Sequence, residues 1–249
     1  MHSPWSLILC LAFVYLLIVV YALGDRFRFL RKLHDRNTGI LVLTGMLVLL
    51  LVDGFFPFRV NRNPVFVCML LAFAAVLILR TLDDLGHLRQ RNPGRTLSHT
   101  ALSLLLLAGI FGSGDTQKVQ VMLIEGLPKA AGTDAEGFRV ELPFTLTLED
   151  FSAESPVPDR QRFLSRIRIE GRDGRTATHA VAVNHPAKAG PWRIYQQGYD
   201  AERGAESTVS ILECVKDPWY PAVQAGLWLM LAAAVVTACT TGVKKREAR

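Results

Sequence analysis

Cysteine is scarce in this chain of 249 residues, and its four copies never form a Cys-x-x-Cys pair. Cys10, Cys68 and Cys239 fall in apolar runs, which leaves Cys214 alone in the polar part of the chain. That distribution excludes a disulfide-stapled scaffold and a thiol-exchange enzyme, and without Cys-x-x-Cys-His the chain is not itself a c-type cytochrome. Cys214 reads as a small buried hydrophobe. Charged residues are also few, at 20%. Gly-x-Ser-x-Gly and Gly-rich phosphate loops are missing, and His179 and His185, which lie in the polar segment, have no metal-ligand spacing. Both histidines read as surface or strand-edge residues, and no catalytic set emerges.

What the chain does have is apolar length. Hydrophobic residues make up 50% of it and mean hydropathy is +0.26. Five runs carry this, at about 5–23, 40–56, 64–79, 96–112 and 219–240. Each is long enough to cross roughly 30 Å of hydrocarbon as a helix. The expected fold class is therefore a membrane protein with about five transmembrane α-helices and an extracytoplasmic all-β domain inserted before the last. The expected divisions are a four-helix membrane region at 1–112, the β domain at 113–217, and a final helix with a basic tail at 218–249.

The net charge of +6 divides unevenly. Residues 113–218 hold 13 Lys and Arg against 16 Asp and Glu, whereas the remainder holds 15 against 6. The basicity thus belongs to the membrane part, where it sets topology, and nucleic acid is not an expected partner. Arg26, Arg28, Arg31, Lys32 and Arg36 follow the first run; Arg80, Arg89, Arg91 and Arg95 lie between the third and fourth; Lys244, Lys245, Arg246 and Arg249 close the chain. These segments are expected on the cytoplasmic face, and the β domain on the outer face of the plasma membrane. Because the basic cluster follows the first run instead of preceding it, that run reads as an N-out anchor, not a cleaved leader.

Residues 113–217 show period-2 alternation. In FRVELPFTLTLEDF, Val140, Leu142, Phe144, Leu146 and Leu148 share one face. FLSRIRIEG and TATHAVAVN flank an Asp173-Gly174 turn, and WRIYQQGYD and STVSILECVKD supply two further strands. GLPKAAGTDAEG, SAESPVPD and NHPAKAGP read as breaks. Six to eight short antiparallel strands in a sandwich or open barrel are expected. Trp192, Tyr195 and Tyr199 either pack its core or present an edge to an extended peptide.

In the membrane part, His99 lies about one turn inside the fourth run, toward the cytoplasmic side. Arg95, His99 and Ser103 follow at i, i+4 and i+8, so they form one polar stripe that should face another helix or a cavity. A ligand or relay role for His99 and a plain interhelical hydrogen bond both fit that spacing. Asp53 reads as an interfacial turn with Gly54, and Asp83, Asp84 and His87 as a solvated loop after the third run.

The stretch from about 97 to 230 resembles the ResB family of cytochrome c biogenesis proteins (system II). SHTALSLLLLAGIFGSGD resembles that family's His-bearing helix leading into the outer domain. AVNHPAKAGPWRIYQQGYD is similar to its Val-Asn-x-Pro turn, Tyr-Gln strand and Gly, and KDPWYPAVQAGLWLMLAA to its Asp-Pro approach to the final span. The resemblance implies a non-catalytic subunit of a haem lyase complex that moves haem outward for attachment to apocytochrome c. Its partner would be a multispan, tryptophan-rich haem-handling protein of the CcsA/ResC type. It also implies that His99 is an axial ligand to transiently bound haem. The alternative is a membrane-anchored scaffold in which His99 only cross-links helices.

Overall fold

Asn92 and Pro93 begin a helix in the manner their chemistry favours. The Asn92 side chain accepts a hydrogen bond from the Gly94 amide at 2.9 Å, and Pro93 occupies the first turn, where no amide donor is needed. The structure is a computed structural model that describes residues 5–24, 36–55, 64–87, 92–154, 162–200, 202–203 and 207–247. The basic stretch from Arg26 to Lys32, Arg59, Arg62, Arg89 and Arg91 lie outside the described residues.

The helices are α1 (Trp5–Leu23), α2 (Arg36–Phe55), α3 (Pro64–Gly86), α4 (Pro93–Gly112) and α5 (Tyr220–Glu247). Four of them, α1, α3, α4 and α5 as far as Thr240, are long and apolar enough to cross a membrane, while the apolar part of α2 covers only Asn37–Val52. Two expectations change here. Helix α2 continues through Asp53 and Gly54 to Phe55, where a turn was expected, and α3 runs past Arg80 to Gly86 instead of ending near residue 79. Intrahelical bonding tolerates charge in a last turn where hydropathy alone would end the run.

The chain divides into two compact units, one formed by residues 1–115 and 219–249 and the other by Thr116–Pro218. In the helical unit, α4 and α5 approach so closely that a Cβ on Gly94 would collide with Thr237, and one on Gly226 would lie 2.8 Å from Leu105. Small residues permit such approach where apolar side chains gain nothing by leaving lipid. Leu17, Ile78 and Leu79 pack α1 against α3, joined by Phe13, Tyr21 and Leu107. The Asp115 carboxylate accepts hydrogen bonds from Trp219 Nε1 at 2.8 Å and from Ser6 Oγ. This one carboxylate ties the start of α1 to the point where the chain leaves α4 and the point where it returns to α5.

The β unit holds β1 (Gln117–Ile124), β2 (Pro128–Thr133), β3 (Arg139–Glu154), β4 (Arg162–Gly171), β5 (Thr176–Ala182), β6 (Ala187–Ala189), β7 (Trp192–Tyr199) and β8 (Val209–Lys216). They form one antiparallel sheet in the order β5-β4-β3-β2-β1-β8-β7-β6. β1, β2 and β6 were not read from the sequence. The last two lie within the expected breaks, and Pro128 takes the first position of its strand, where it costs no ladder bond in the strand interior. β3 buries Leu142, Phe144, Leu146 and Leu148 as the alternation requires, then shifts register between Leu148 and Asp150 so that Phe151 turns inward.

The sheet curls into an open barrel because strands distant in its order meet inside it. Ser165 Oγ on β4 donates to Gln196 Oε1 on β7 at 2.6 Å and lies 2.7 Å from Ser210 Oγ on β8. Gln196 Nε2 donates to the Gly198 carbonyl at 2.8 Å across the β7 register shift. Tyr199 stacks on Phe163 and Phe151 at 4.5 and 5.5 Å, and Trp192 meets Phe144 edge-on at 6.1 Å. The chain turns from β5 toward β6 at Asn184, whose φ of 66° is the one positive value outside glycine among the described residues. Asparagine tolerates that conformation better than other side chains with a Cβ.

Two outcomes follow from this core. Replacing Gln196 by Ala leaves the buried Ser165 hydroxyl with one partner fewer. It should cost the β unit about 1–3 kcal/mol, read as earlier thermolysin cleavage within 116–218 in a urea series. Burial, reinforced by the Glu213 carboxylate, pushes the Cys214 thiol up to about 12. The folded form therefore holds this proton more tightly than the unfolded chain, whose thiol titrates near about 8.5. The stability so contributed is complete below about pH 8.5 and is lost as pH rises toward 12. Site-resolved iodoacetamide labelling of the full chain at neutral pH should spare Cys214 until denaturant is added.

Candidate functional site

The polar stripe of α4 meets its partner on α3. Arg95, His99 and Ser103 face Asp84 and Thr81, and the descending spacing on one helix matches the ascending spacing on the other. Asp84 is fully buried; its Oδ1 accepts from Arg95 Nη2 at 2.8 Å and its Oδ2 lies 3.0 Å from His99 Nδ1. One turn further into the bundle, Thr81 Oγ1 stands 3.3 Å from Ser103 Oγ and donates to the Leu77 carbonyl at 2.8 Å. By contrast, Ser98 and Thr100 bond back to the carbonyls of Gly94 and Thr96 within α4. The side chains that leave their own helix are therefore a specific subset.

An ionised carboxylate can only accept, so with Asp84 charged the nitrogen of His99 that faces it is the one to carry the proton. The remaining nitrogen, Nε2, has no hydrogen-bond partner among the described residues, and the side chain is 26% exposed. Arg95 spans the boundary, with its terminal nitrogen on Asp84 and its Nε buried without a partner among the described residues. Along α4, His99 lies about 20 Å from Gly112. The cluster thus occupies the opposite end of the helix from Asp115, where the β unit is connected.

Sequence reasoning placed the α4 stripe correctly on a helix-facing side but misread its counterpart. Asp83, Asp84 and His87 were expected in a solvated loop; Asp83 and Asp84 belong to the last turn of α3, and Asp84 is the most buried charge in the helical unit among the described residues. Only His87 is exposed, its Nδ1 2.9 Å from the Asp83 carbonyl at the helix end. The available signal was the i, i+3 step from Thr81 to Asp84, the same helical period that marked the facing stripe. In the β unit, His179 is half-buried on the edge strand β5 and His185 is exposed in the turn after it. Trp192 is buried and Tyr199 is stacked in the barrel, so those two pack the core instead of forming an edge. Among the described residues, no group of three or more His, Cys, Asp and Glu side chains is arranged to hold a metal ion.

A family model described as the ResB-like family matches residues 89–238, well over half of the sequence. The chain belongs to the ResB-like family. The matched region of this ResB-like chain contains Arg95, His99, Ser103 and the whole β unit, whereas Asp84 and Thr81 lie just before it. Among solved structures, that of a cytochrome c heme lyase CcmF is similar at a TM-score of 0.42 and 15% identity. The similarity covers 94% of this chain and 46% of that one, so the ResB-like chain spans less than half the other's length. No curated protein matches it.

Removing Asp84 alone strands a partly buried guanidinium beside an unpaired imidazole. Asp84→Ala should destabilise the helical unit by about 3 kcal/mol or more. Adding Arg95→Leu to that variant should recover part of the loss, as read from thermal unfolding in detergent.

Proposed function

We propose that this chain is a membrane subunit in cytochrome c biogenesis that holds haem through His99 and passes it toward an outer attachment site. The observation that carries the reading is the engagement of His99 Nδ1 by the buried Asp84 carboxylate, which leaves Nε2 as the available donor. Iron-binding imidazoles are commonly oriented in this way, with a carboxylate holding one ring nitrogen while the other faces the metal. The residues therefore fit the group: a neutral nitrogen donor with a fixed ring, on a helix whose following turns are Leu104, Leu105 and Leu106. Haem would supply the iron centre and the vinyl groups used in thioether formation. The chain's own contribution is to bind, orient and shield it.

Membership of the ResB-like family supports placing this work in cytochrome c maturation. A multispan partner of the CcsA/ResC type would complete the haem site. The basic residues bordering the helices favour a plasma-membrane orientation with the His99 end inside and the β unit outside. There β5 offers an edge strand for a partner or for extended apocytochrome c, because Thr176, Ala177, Thr178 and Ala180 are exposed and no Lys or Pro guards them. No acid, base or nucleophile is assigned to the chain, since positioning reduced haem against two thiols is itself a rate-enhancing arrangement.

Co-expression with the partner and purification in detergent tests this directly. His99→Ala should lower the haem-to-protein ratio and alter the Soret band, and added imidazole should restore both. If the complex assembles with unchanged haem in the variant, or with none in either form, His99 is a helix cross-link and the chain a scaffold.

A further inference from the structure

We infer that Asp84 and Arg95 are a positioning pair that fixes the His99 proton on Nδ1 and sets the donor strength of Nε2 toward haem iron. The inference rests on the haem-ligand reading and deepens it. Three facts carry it. Asp84 is fully buried, so its carboxylate is held by the α3–α4 contact and little screened by water. Its two oxygens are divided between the two donors, Oδ1 to Arg95 Nη2 at 2.8 Å and Oδ2 to His99 Nδ1 at 3.0 Å. Arg95 brings a positive charge to the same carboxylate that faces the ring.

The consequences have opposite signs. A carboxylate on Nδ1–H draws that proton away from the ring and makes Nε2 a stronger donor, which favours ferric over ferrous iron. Arg95 competes for the same carboxylate and weakens that pull. Asp84 therefore lowers the potential of the bound group and Arg95 raises it, although neither touches the iron. Both are positioning residues acting through His99.

The test uses the full chain, alone and in its detergent-purified complex with the multispan partner. In the haem-free chain, NMR of isotope-labelled histidine should show His99 with its proton on Nδ1. Asp84→Asn should erase that preference, weaken haem binding about 10- to 100-fold, and shift the midpoint potential of the remaining haem positive. Arg95→Gln should shift it negative. Loss of a purely structural cross-link would lower thermal stability in both variants without moving the potential in opposite directions. Equal potentials in the two variants, shifts of the same sign, or a wild-type proton on Nε2 would overturn the inference. If Asp84→Asn does not fold, Arg95→Gln and the wild-type tautomer still decide it. If His99→Ala keeps its haem, the ligand reading fails by itself, and the tautomer of the haem-free chain separately decides whether Asp84 positions the ring.

Discussion

A buried carboxylate between two apolar helices must be matched where it stands, and that requirement organises the helical unit. Asp84 is held by Arg95 and His99 from the facing helix, so α3 and α4 are bound to one register along their length. A shift of one residue would turn the stripe at 95, 99 and 103 away from Thr81 and Asp84 and leave charge in an apolar setting. The same helix meets α5 on another side through glycine contacts that demand close approach. Helix α4 is thus fixed by polar pairing toward α3 and by steric fit toward α5, which gives His99 a defined orientation.

The β unit solves a related problem with different chemistry. A single sheet of eight strands has two edges, and curling brings them near each other at the β5–β6 turn. The apolar interior would permit many degrees of curl, but Ser165, Gln196 and Ser210 satisfy one another only when β4 lies against β7 and β8. Buried polar groups specify geometry because an unmade bond there costs more than a made one contributes. The residues at Asn184 and at Gln196 to Gly198, which first marked the family resemblance, have structural reasons for their identity: a positive φ, an interior amide and a register shift.

Much of this was legible in the sequence, for identifiable reasons. Helical period placed Arg95, His99 and Ser103 on one face, and alternation placed Leu142 to Leu148 on another. Strand β2 was illegible because Ala130, Ala131 and Gly132 carry no hydrophobic alternation. Gly132 serves the close approach of β1, where a Cβ would lie 2.7 Å from Val119. Asp84 was misread, despite its i, i+3 step from Thr81, because hydropathy counts a charge as solvated unless something is known to cover it. The fate of Trp192 was equally undetermined, since an aromatic residue on a strand suits an edge or a core until the opposite wall of the barrel is known.

The sequence by itself determined the division of the chain: apolar lengths that fit a bilayer, a polar alternating segment between the last two, basic residues beside the helices, and one histidine on a polar stripe. Those properties follow from local period and composition, which every short window of the chain carries. Tertiary structure alone decided that the stripe is answered by Asp84, that the ring of His99 turns Nδ1 toward that carboxylate, and that the sheet curls until β4 reaches β7. Each of these depends on a residue distant in sequence, and its energy arises only when both groups leave water together.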